Sequence, residues 1–336
     1  MLERRNQILS VILVLQLALA AFVLWPRTGS NAAAGALITG VSADSVTAVT
    51  IQDDTGKTVY LAKSEGAWVL PNNGNYPVNG VQVTDLISKV VSINTGRLVA
   101  NTATSHNQLQ VAADEFVRRV DLRTSDGVTH TLLVGSSPNV RATNVRTVDS
   151  DAVYLSDDVS GSDIRMDLAN WIDATYLTVN TPDVTAVSIA NANGKFDFTK
   201  TVSNTWTLAD LAAGEQFNEA TLTSYLTSLG SLSMSEPLGI EAKPEYGLDA
   251  PSATITVTVQ PSGTMPVTTT LVVGVKDEAG SSYVAKSSAS DYYVRIAGFT
   301  LDSFVTDDRA KFLIAPPTPD PALTPAAADA TPPAAP

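Results

Sequence analysis

Apolar and polar residues alternate along much of the chain, in short runs that are typical of β-strands. One run, residues 46–51, is followed at a distance by Trp68, and a closely similar run, residues 184–189, is followed by Trp206. Both the run and the tryptophan recur after 138 residues. A shared spacing of this length indicates an internal repeat the size of a domain. We expect both tryptophans to be core residues on the third strand of their repeats.

Each repeat also contains one stretch whose apolar residues have helical spacing. Asn79 is a candidate N-cap, with Gln82 three residues later as in a capping box, and Asn218 stands at the matching position of the second repeat. The apolar positions that follow are Val83, Leu86, Ile87, Val90 and Ile93 in the first repeat and Leu222, Tyr225, Leu226 and Leu229 in the second. Intervals of three and four residues predict one amphipathic helix in each repeat.

The order of predicted elements in both repeats is strands, one helix, and then further strands. Short turns rich in Asp, Asn and Gly separate the strands, which favours antiparallel hairpins. The exposed face of a sheet has to be buried, and the amphipathic helix is the available cover. We therefore predict an α+β fold of two tandem repeats, each an antiparallel sheet with one covering helix, at residues 38–177 and 178–314.

Residues 8–25 form an apolar segment that is nearly long enough, as a helix, to cross the hydrocarbon core of a membrane. Arg4 and Arg5 precede it, so the positive-inside rule predicts that residues 1–7 are cytoplasmic and the body is extracytoplasmic. The alternative is a cleavable signal peptide, although its apolar region is usually only about 7–15 residues long. We predict a single-pass anchor in the cell membrane, followed by a linker at residues 26–37.

The C-terminal residues 315–336 contain eight Pro and eight Ala. Such a composition offers too few large apolar side chains to build a packed core. It predicts a disordered and partly extended tail.

The charge of the chain limits the partners that it can bind. There are 21 basic and 34 acidic residues, and the part after residue 27 has a net charge of −15. Nucleic acids and anionic lipid surfaces bind basic proteins, so we do not expect this body to bind either. The chain has no cysteine, which excludes disulfides, thiolate nucleophiles and Cys-ligated metals.

The sequence lacks the common motifs of enzyme and cofactor sites. It has no G-x-S-x-G, H-E-x-x-H, P-loop or G-x-G-x-x-G pattern. We expect its two histidines, His106 and His130, to be solvated. The acidic stretch from Asp149 to Asp163 departs from EF-hand spacing, because Val153 takes the fifth position. We therefore predict no catalytic, cofactor or metal residues, and we interpret this stretch as solvated carboxylates, with a weak cation site as the alternative.

Three tyrosines close to the end of the second repeat are candidates for contact with a partner. Tyr283, Tyr292 and Tyr293 fall on one predicted hairpin. Successive residues of a strand point to opposite faces, so we expect Tyr292 or Tyr293 to be exposed. An exposed aromatic side chain on an edge hairpin is the best contact candidate in this sequence.

The second repeat shows a more specific pattern. A strand pair leads to Trp206, an Asn-capped helix and the string Tyr-Gly-Leu-Asp-Ala-Pro at residues 246–251, and a strand pair that ends at Gly274 follows. This order resembles the DUF4340 family of bacterial membrane-anchored proteins, whose function is unknown. The resemblance is looser in the first repeat, where residues 107–109 read Asn-Gln-Leu. It implies an auxiliary protein found beside ABC-type transporters of the gliding-motility class, without catalytic residues.

We interpret the string at residues 246–251 as a structural turn. Gly247 can adopt a positive φ, Asp249 can bond to its own backbone in an Asx-turn, and Pro251 suits the start of a strand. Leu248 is expected to fill the core beneath the helix, as we expect for Leu109 in the first repeat.

Two functional hypotheses follow. The first is a membrane-anchored, extracytoplasmic and non-catalytic interaction module, with protein partners in the envelope such as subunits of an ABC-type transporter. The second is an extracytoplasmic enzyme that uses carboxylates to act on cell-envelope polymers, because paired carboxylates are set by space and not by sequence spacing. A cleft with two facing carboxylates would favour the enzyme, and exposed aromatic side chains would favour the module.

Overall fold

The computed structural model describes Gln16 and residues 34–315 of the chain, and these consist mostly of antiparallel sheets with three α-helices. This is the α+β class that the sequence predicts. The strands are β1 (Val46–Asp53), β2 (Thr58–Ser64), β3 (Ala67–Leu70), β4 (Tyr76–Pro77), β5 (Leu98–Asn101), β6 (Arg118–Thr124), β7 (Thr129–Val134), β8 (Thr143–Thr147), β9 (Ala152–Ser156), β10 (Thr175–Thr178), β11 (Val184–Asn191), β12 (Gly194–Lys200), β13 (Trp206–Leu208), β14 (Ser231–Ser233), β15 (Glu236–Gly239), β16 (Ala253–Val259), β17 (Val267–Lys276), β18 (Ser282–Ser287) and β19 (Tyr293–Ala297). The helices are α1 (Gly80–Ser92), α2 (Glu219–Gly230) and α3 (Gly298–Thr306).

The chain folds into two compact units. The first contains the described residues up to Lys57 together with Thr84–Ile164, and the second contains Thr58–Val83 together with the described residues from Arg165 onwards. Segment 58–83 packs with the second unit partly through Asn73, whose Nδ2 atom donates a hydrogen bond to the Pro237 carbonyl at 2.5 Å.

In the first unit the strands follow the order β1-β6-β7-β8-β9-β5, with antiparallel neighbours throughout. Burial alternates along the C-terminal part of β6, as in a half-buried strand, whereas β7 and β8 each bury four successive residues and are covered on both faces. Val49 lies opposite Leu122, and both are fully buried. The core of this unit is therefore aliphatic.

In the second unit an eight-stranded sheet has the order β13-β12-β11-β16-β17-β18-β19-β15. Its core is aromatic: Phe198 of β12 packs on Phe312 at 4.9 Å between ring centroids, and Tyr225 of α2 packs on Phe312 at 5.4 Å and on Phe304 at 4.6 Å. Rings at such separations and tilts stabilise the core beyond their burial alone. The same unit contains the strands in the order β4-β3-β2 and the pair β10-β14.

The helix predicted after Asn79 is confirmed. Asn79 Oδ1 accepts a hydrogen bond from the Val81 amide at 3.2 Å, which caps α1. The five predicted apolar positions of this segment are all buried. Helix α2 begins directly after Asn218 as predicted, but the Asn218 side chain makes no capping hydrogen bond.

Helix α3 was not predicted. It spans nine residues and buries mainly Leu301 and Phe304, too few apolar positions for a clear helical period. Its C-terminal end is held by Asn191 Nδ2, which donates to the carbonyls of Phe304 and Asp307, each at 2.9 Å. These bonds satisfy carbonyls that the end of a helix leaves without partners.

The two tryptophans differ in burial. Trp68 on β3 is buried, as predicted, at 7% exposure. Trp206 on β13 is only half-buried, which corrects its assignment to the core. The reason is that β13 is the edge strand of its sheet, so one side of the ring has no neighbouring strand. Lys200 lies over the Trp206 ring, 5.7 Å from the centroid.

No helix among the described residues is both long and apolar enough to cross a membrane. The anchor predicted at residues 8–25 lies outside the described part of the chain apart from Gln16, and so does nearly all of the tail predicted at residues 315–336.

A buried arginine holds the turn after β8. Arg146 is 5% exposed. Its guanidinium donates to the carbonyls of Val111 at 2.8 Å and Ser150 at 2.9 Å, and more weakly to those of Thr147 and Val148. Burial lowers the pKa of this guanidinium from its usual value, although arginine remains charged at that burial. One cation therefore satisfies several carbonyls of a tight turn.

We expect Arg146→Met to lower the free energy of unfolding by about 3 kcal/mol, because it leaves buried carbonyls without donors. Arg146→Lys should lose less than half as much, since an ammonium can still donate to the turn. Urea unfolding of the full-length protein in detergent, followed by circular dichroism, measures both variants. Equal losses for Met and Lys would contradict this role of the charge.

Candidate functional site

The string at residues 246–251 forms a turn that packs closely on strand β17. Residues Pro244–Tyr246 make a single 3-10 turn, and Gly247 then adopts a φ of +66°, as predicted. A Cβ atom on Gly247 would lie 2.3 Å from Cγ1 of Val275, and one on Gly274 would lie 2.0 Å from the Tyr246 carbonyl oxygen. Only glycine permits this approach between the turn and the strand.

The other residues of the string differ from their predicted roles. Tyr246 is the buried residue, at 6% exposure, whereas Leu248 is only half-buried. Leu248 therefore does not fill the core, and Tyr246, whose ring packs on Tyr293, is the buried side chain of the turn. Asp249 is exposed and its side chain forms no hydrogen bond within the described residues, so the predicted Asx-turn is absent. Pro251 precedes β16 by two residues, close to its predicted place.

A shallow cleft of about 240 Å³ opens beside this turn. We call it the Tyr293 cleft, and it is lined by Ala242, Lys243, Pro244, Leu248, Asp249 and Tyr293. The Tyr293 ring forms one wall and packs on Tyr246 at 5.3 Å between centroids. Lys286 lies over the Tyr293 ring at 5.5 Å, and Lys243 lies over the Tyr246 ring at 5.9 Å. These contacts fix the aromatic wall in position.

The cleft combines apolar surface with two opposite charges. Lys243 and Asp249 are both exposed, and neither forms an ion pair in the described part of the chain. Lys286, in contrast, donates to the carbonyls of Ser287, at 3.1 Å, and Ser290. The ammonium of Lys243, which contacts the Tyr246 ring, and the carboxylate of Asp249 can thus each pair with a charged group of a ligand.

Of the three candidate tyrosines, only Tyr293 lines the cleft. Tyr283 is 4% exposed, and its hydroxyl donates to Asp302 Oδ1 at 2.8 Å. Burial and this carboxylate raise the pKa of Tyr283. Tyr292 is half-buried and packs edge-to-face on Tyr76 at 4.7 Å. Tyr283 and Tyr292 are therefore engaged within the chain.

One face of the first unit is closed around a second glycine contact. Val111, Leu133 and Val153 are fully buried there, and Ala100, Leu109 and Phe116 pack on them. A Cβ atom on Gly135 would lie 2.2 Å from the carbonyl oxygen of Leu109. The Leu109 carbonyl thus lies over Gly135 as the Tyr246 carbonyl lies over Gly274, whereas the sequence spacing pairs Leu109 with Leu248.

His106 corrects another expectation from the sequence. It is 7% exposed, and its Nε2 atom lies 3.0 Å from the Asp151 carbonyl oxygen. This contact anchors the turn before β9 and removes the ring from solvent. His130 is half-buried. Within residues 34–315 no group of three or more His, Asp or Glu side chains could hold a metal ion.

The acidic stretch is partly neutralised by cations. Arg97 pairs with Asp157 at 2.7 Å, and Lys89 pairs with Asp163 at 2.5 Å. Burial by itself would raise the pKa of Asp163, but the hydrogen bonds that Lys89 and Ser160 donate outweigh it, so the pKa is lowered. A general acid needs a raised pKa, and every carboxyl group with a shifted pKa in the described chain is shifted downwards.

A second groove, of about 500 Å³, lies where the described chain ends. We call it the exit groove, and its lining residues are Gly214, Glu215, Gln216, Ala310, Leu313, Ile314 and Ala315. Arg309 clamps Glu215 at its edge through two bonds of 2.7 and 2.6 Å. The hydrogen bonds from Arg309 lower the pKa of Glu215 to about 2.

We expect Gly274→Ala to destabilise the protein by about 2–3 kcal/mol, because the added methyl group would press on the Tyr246 carbonyl. Gly35→Ala is the matched control, since a Cβ atom there meets nothing within 4 Å. Denaturant unfolding of the full-length variants provides the comparison. Equal stability of the two variants would show that the turn does not pack on β17 in this way.

The carboxyl group of Glu215 should titrate near pH 2, and in Arg309→Gln its midpoint should rise towards the usual value of 4.5. Because the folded pKa is depressed, the pair stabilises the fold above pH 4.5 and loses this effect as the pH falls towards 2. Carbon-detected NMR titration of the carboxyl group measures the midpoint. An unchanged midpoint in Arg309→Gln would contradict the clamp.

Comparison with known proteins gives one family. The sequence model of DUF4340, described as a domain of unknown function, matches residues 68–251, more than half of the chain. The matched range begins at Trp68 and ends at Pro251, so it includes the turn and most of the Tyr293 cleft. No curated protein and no solved structure matches the chain. The chain therefore belongs to the DUF4340 family.

Proposed function

We propose that this protein is a membrane-anchored, extracytoplasmic and non-catalytic interaction module, and that the Tyr293 cleft is its contact site. We further propose that its partner is a subunit of an ABC-type transport system in the envelope. The resemblance to the family suggests this class of partner, and the apolar segment at residues 8–25 with Arg4 and Arg5 supports the location.

We also propose that the body consists of two tandem repeats. The order β1-β6-β7-β8-β9-β5 in the first unit is matched by β11-β16-β17-β18-β19-β15 in the second. Both β1 and β11 change register two residues after they begin, against β6 and β16. Common ancestry explains why irregularities of this kind recur at equivalent places.

Hydrogen bonds that are not part of the pairing between strands also support the duplication. Arg146 donates to the carbonyls of Thr147 and Ser150, and Lys286, 140 residues later, donates to those of Ser287 and Ser290. The cation therefore holds the same turn in both repeats, which we call the first and second halves of the body. The amides that precede α1 and α2 show a similar match: Asn79 donates to the Trp171 carbonyl at 2.7 Å and Asn218 to the Phe312 carbonyl at 2.8 Å.

The observation that carries the proposed function is a difference between the two halves. Leu133 and Arg146 lie opposite each other on β7 and β8, and Val272 and Lys286 are their counterparts on β17 and β18. The first pair is buried, whereas the second is half-buried. The same change separates fully buried Val153 from half-buried Tyr293.

A face that is closed core in one half is thus open in the other. Opening it costs the second half the hydrophobic stabilisation that the first half retains, about 25 cal/mol for each Å² of apolar surface left in water. Such a loss is tolerable where a partner covers the surface. The exposed part of the Tyr293 ring, next to Leu248, is suited to contact with a partner, because tyrosine is enriched among the residues that contribute most binding energy at interfaces.

The chemistry of the cleft supports binding more than reaction. Its polar groups are an ammonium, a carboxylate and a phenol, from Lys243, Asp249 and Tyr293. No hydrogen bond joins any two of these side chains within the described residues, whereas covalent catalysis needs a nucleophile within hydrogen-bond reach of a base. The apolar remainder of the lining provides the contact area.

Site-specific crosslinking tests the proposal. A photoreactive amino acid in place of Asp249, in the full-length protein in its native membrane, should crosslink to a transporter subunit identified by mass spectrometry. The matched control is the same amino acid at Ser262, which is also exposed but lies on the distant turn between β16 and β17. Capture of the same proteins from both positions, or of none from Asp249, would overturn the proposed function.

A further inference from the structure

We propose that the Tyr293 cleft also binds this chain's own Pro/Ala-rich segment, residues 316–336, as an extended peptide. This inference rests on the proposed function, because the segment would then occupy the surface that the envelope partner needs. The segment would act as a tethered competitor of that partner.

The cleft has the properties of a site for extended, proline-containing peptides. Such peptides dock in grooves walled by aromatic side chains, where the flat rings alternate with the pyrrolidine rings. The ring of Tyr293 contacts both the Tyr246 ring and the Lys286 ammonium. Pro244 and Leu248 complete the apolar lining of the cleft. The wall is therefore rigid before a ligand arrives, which lowers the entropic cost of binding.

The sequence of the segment fits this site. Residues 316–336 contain eight Pro and seven Ala, and proline fixes φ near the polyproline II value. Small alanines between the prolines add no bulk that a shallow cleft of about 240 Å³ would reject.

The charges of the segment and of the cleft are also complementary. The segment carries Asp320 and Asp329 and no basic residue. Lys243 has no ion pair within the described residues, and it stands at the rim of the cleft. The ammonium can therefore pair with an aspartate of the segment, whereas Asp249 on the same rim repels it and should face away from the bound chain.

The segment is long enough to reach the cleft. It continues from Ala315, which belongs to the same unit as Tyr293. At ~3.1 Å per residue, 21 residues in polyproline II conformation span about 65 Å, whereas a domain of this size has a radius of gyration of about 16 Å. A tether of this kind gives an effective concentration on the order of millimolar, so a weak site is still occupied.

The absence of cysteine from the chain allows a direct test. In full-length protein in detergent, the pair Ala242→Cys, at an exposed position in the lining of the cleft, and Ala328→Cys should form an intramolecular disulfide under mild oxidation. Ser262→Cys with Ala328→Cys controls for random encounters. Gln216→Cys with Ala328→Cys reports on the exit groove, which lies where the segment begins. We expect the first pair to react at least five times faster than either control. Equal rates, or a faster reaction at Gln216, would overturn the proposal.

Two further variants test the chemistry of recognition. In the reactive pair, Tyr293→Val copies the residue of the first half, and Lys243→Ala removes the rim cation while Lys243→Arg retains it. We expect the Val and Ala variants to slow the disulfide at least threefold and the Arg variant to leave it unchanged. A rate that does not respond to Tyr293→Val and Lys243→Ala would contradict binding in the cleft.

The disulfide needs no partner, so the two proposals can fail separately. If the disulfide forms but the photoreactive residue in place of Asp249 captures no transporter subunit, the proposed function is wrong and binding of the segment in the cleft is still supported. If the partner is captured but the disulfide rates are equal, binding of the segment in the cleft is wrong. If the partner is captured and the disulfide forms faster at the cleft, deletion of residues 316–336 should raise partner capture severalfold.

Discussion

The close approach of a glycine to a turn carbonyl is the contact on which the arrangement of the site depends. Gly274 near the end of β17 leaves no room for a side chain beneath the Tyr246 carbonyl, and Gly135 after β7 does the same beneath Leu109. This contact holds the turn against its sheet in each of the two units. In the second unit it also fixes the positions of Leu248 and Asp249, and therefore the shape of the Tyr293 cleft.

Much of the fold could be predicted because its determinants are local. The cap at Asn79 and the helical spacing after it predicted α1, and the flexibility of glycine predicted the positive φ of Gly247. The misses depend on tertiary context. Trp206 is half-buried because no further strand covers β13, and Tyr246, two residues before Leu248, is the residue of the turn that is buried. Sequence spacing cannot decide which of two nearby apolar residues the core accepts.

Part of the candidate site could be predicted from the sequence. The string at residues 246–251 and three candidate tyrosines were identified, but the meeting of the string with one of them, Tyr293, in one cleft depends on the register of β15, β18 and β19. Under the proposed duplication, Val153 and Tyr293 occupy equivalent positions, and Val153 is buried whereas Tyr293 is half-buried. This difference in burial is the basis for proposing a contact site on the second repeat.

The central claim, which rests on the proposed duplication, is that this face is open in the second repeat and closed in the first, and amide hydrogen exchange on the full-length protein tests it most directly. The amides of Val111 and Ala112 donate to the carbonyls of His106 and Glu115 at 2.8 and 2.9 Å, whereas those of Leu248 and Asp249, at the same two positions after the turn carbonyl, donate no backbone bond within the described residues. The amides of Leu248 and Asp249 should exchange at least about a hundredfold faster than those of Val111 and Ala112, because exchange rates follow local opening. Equal protection at the two places would contradict the account.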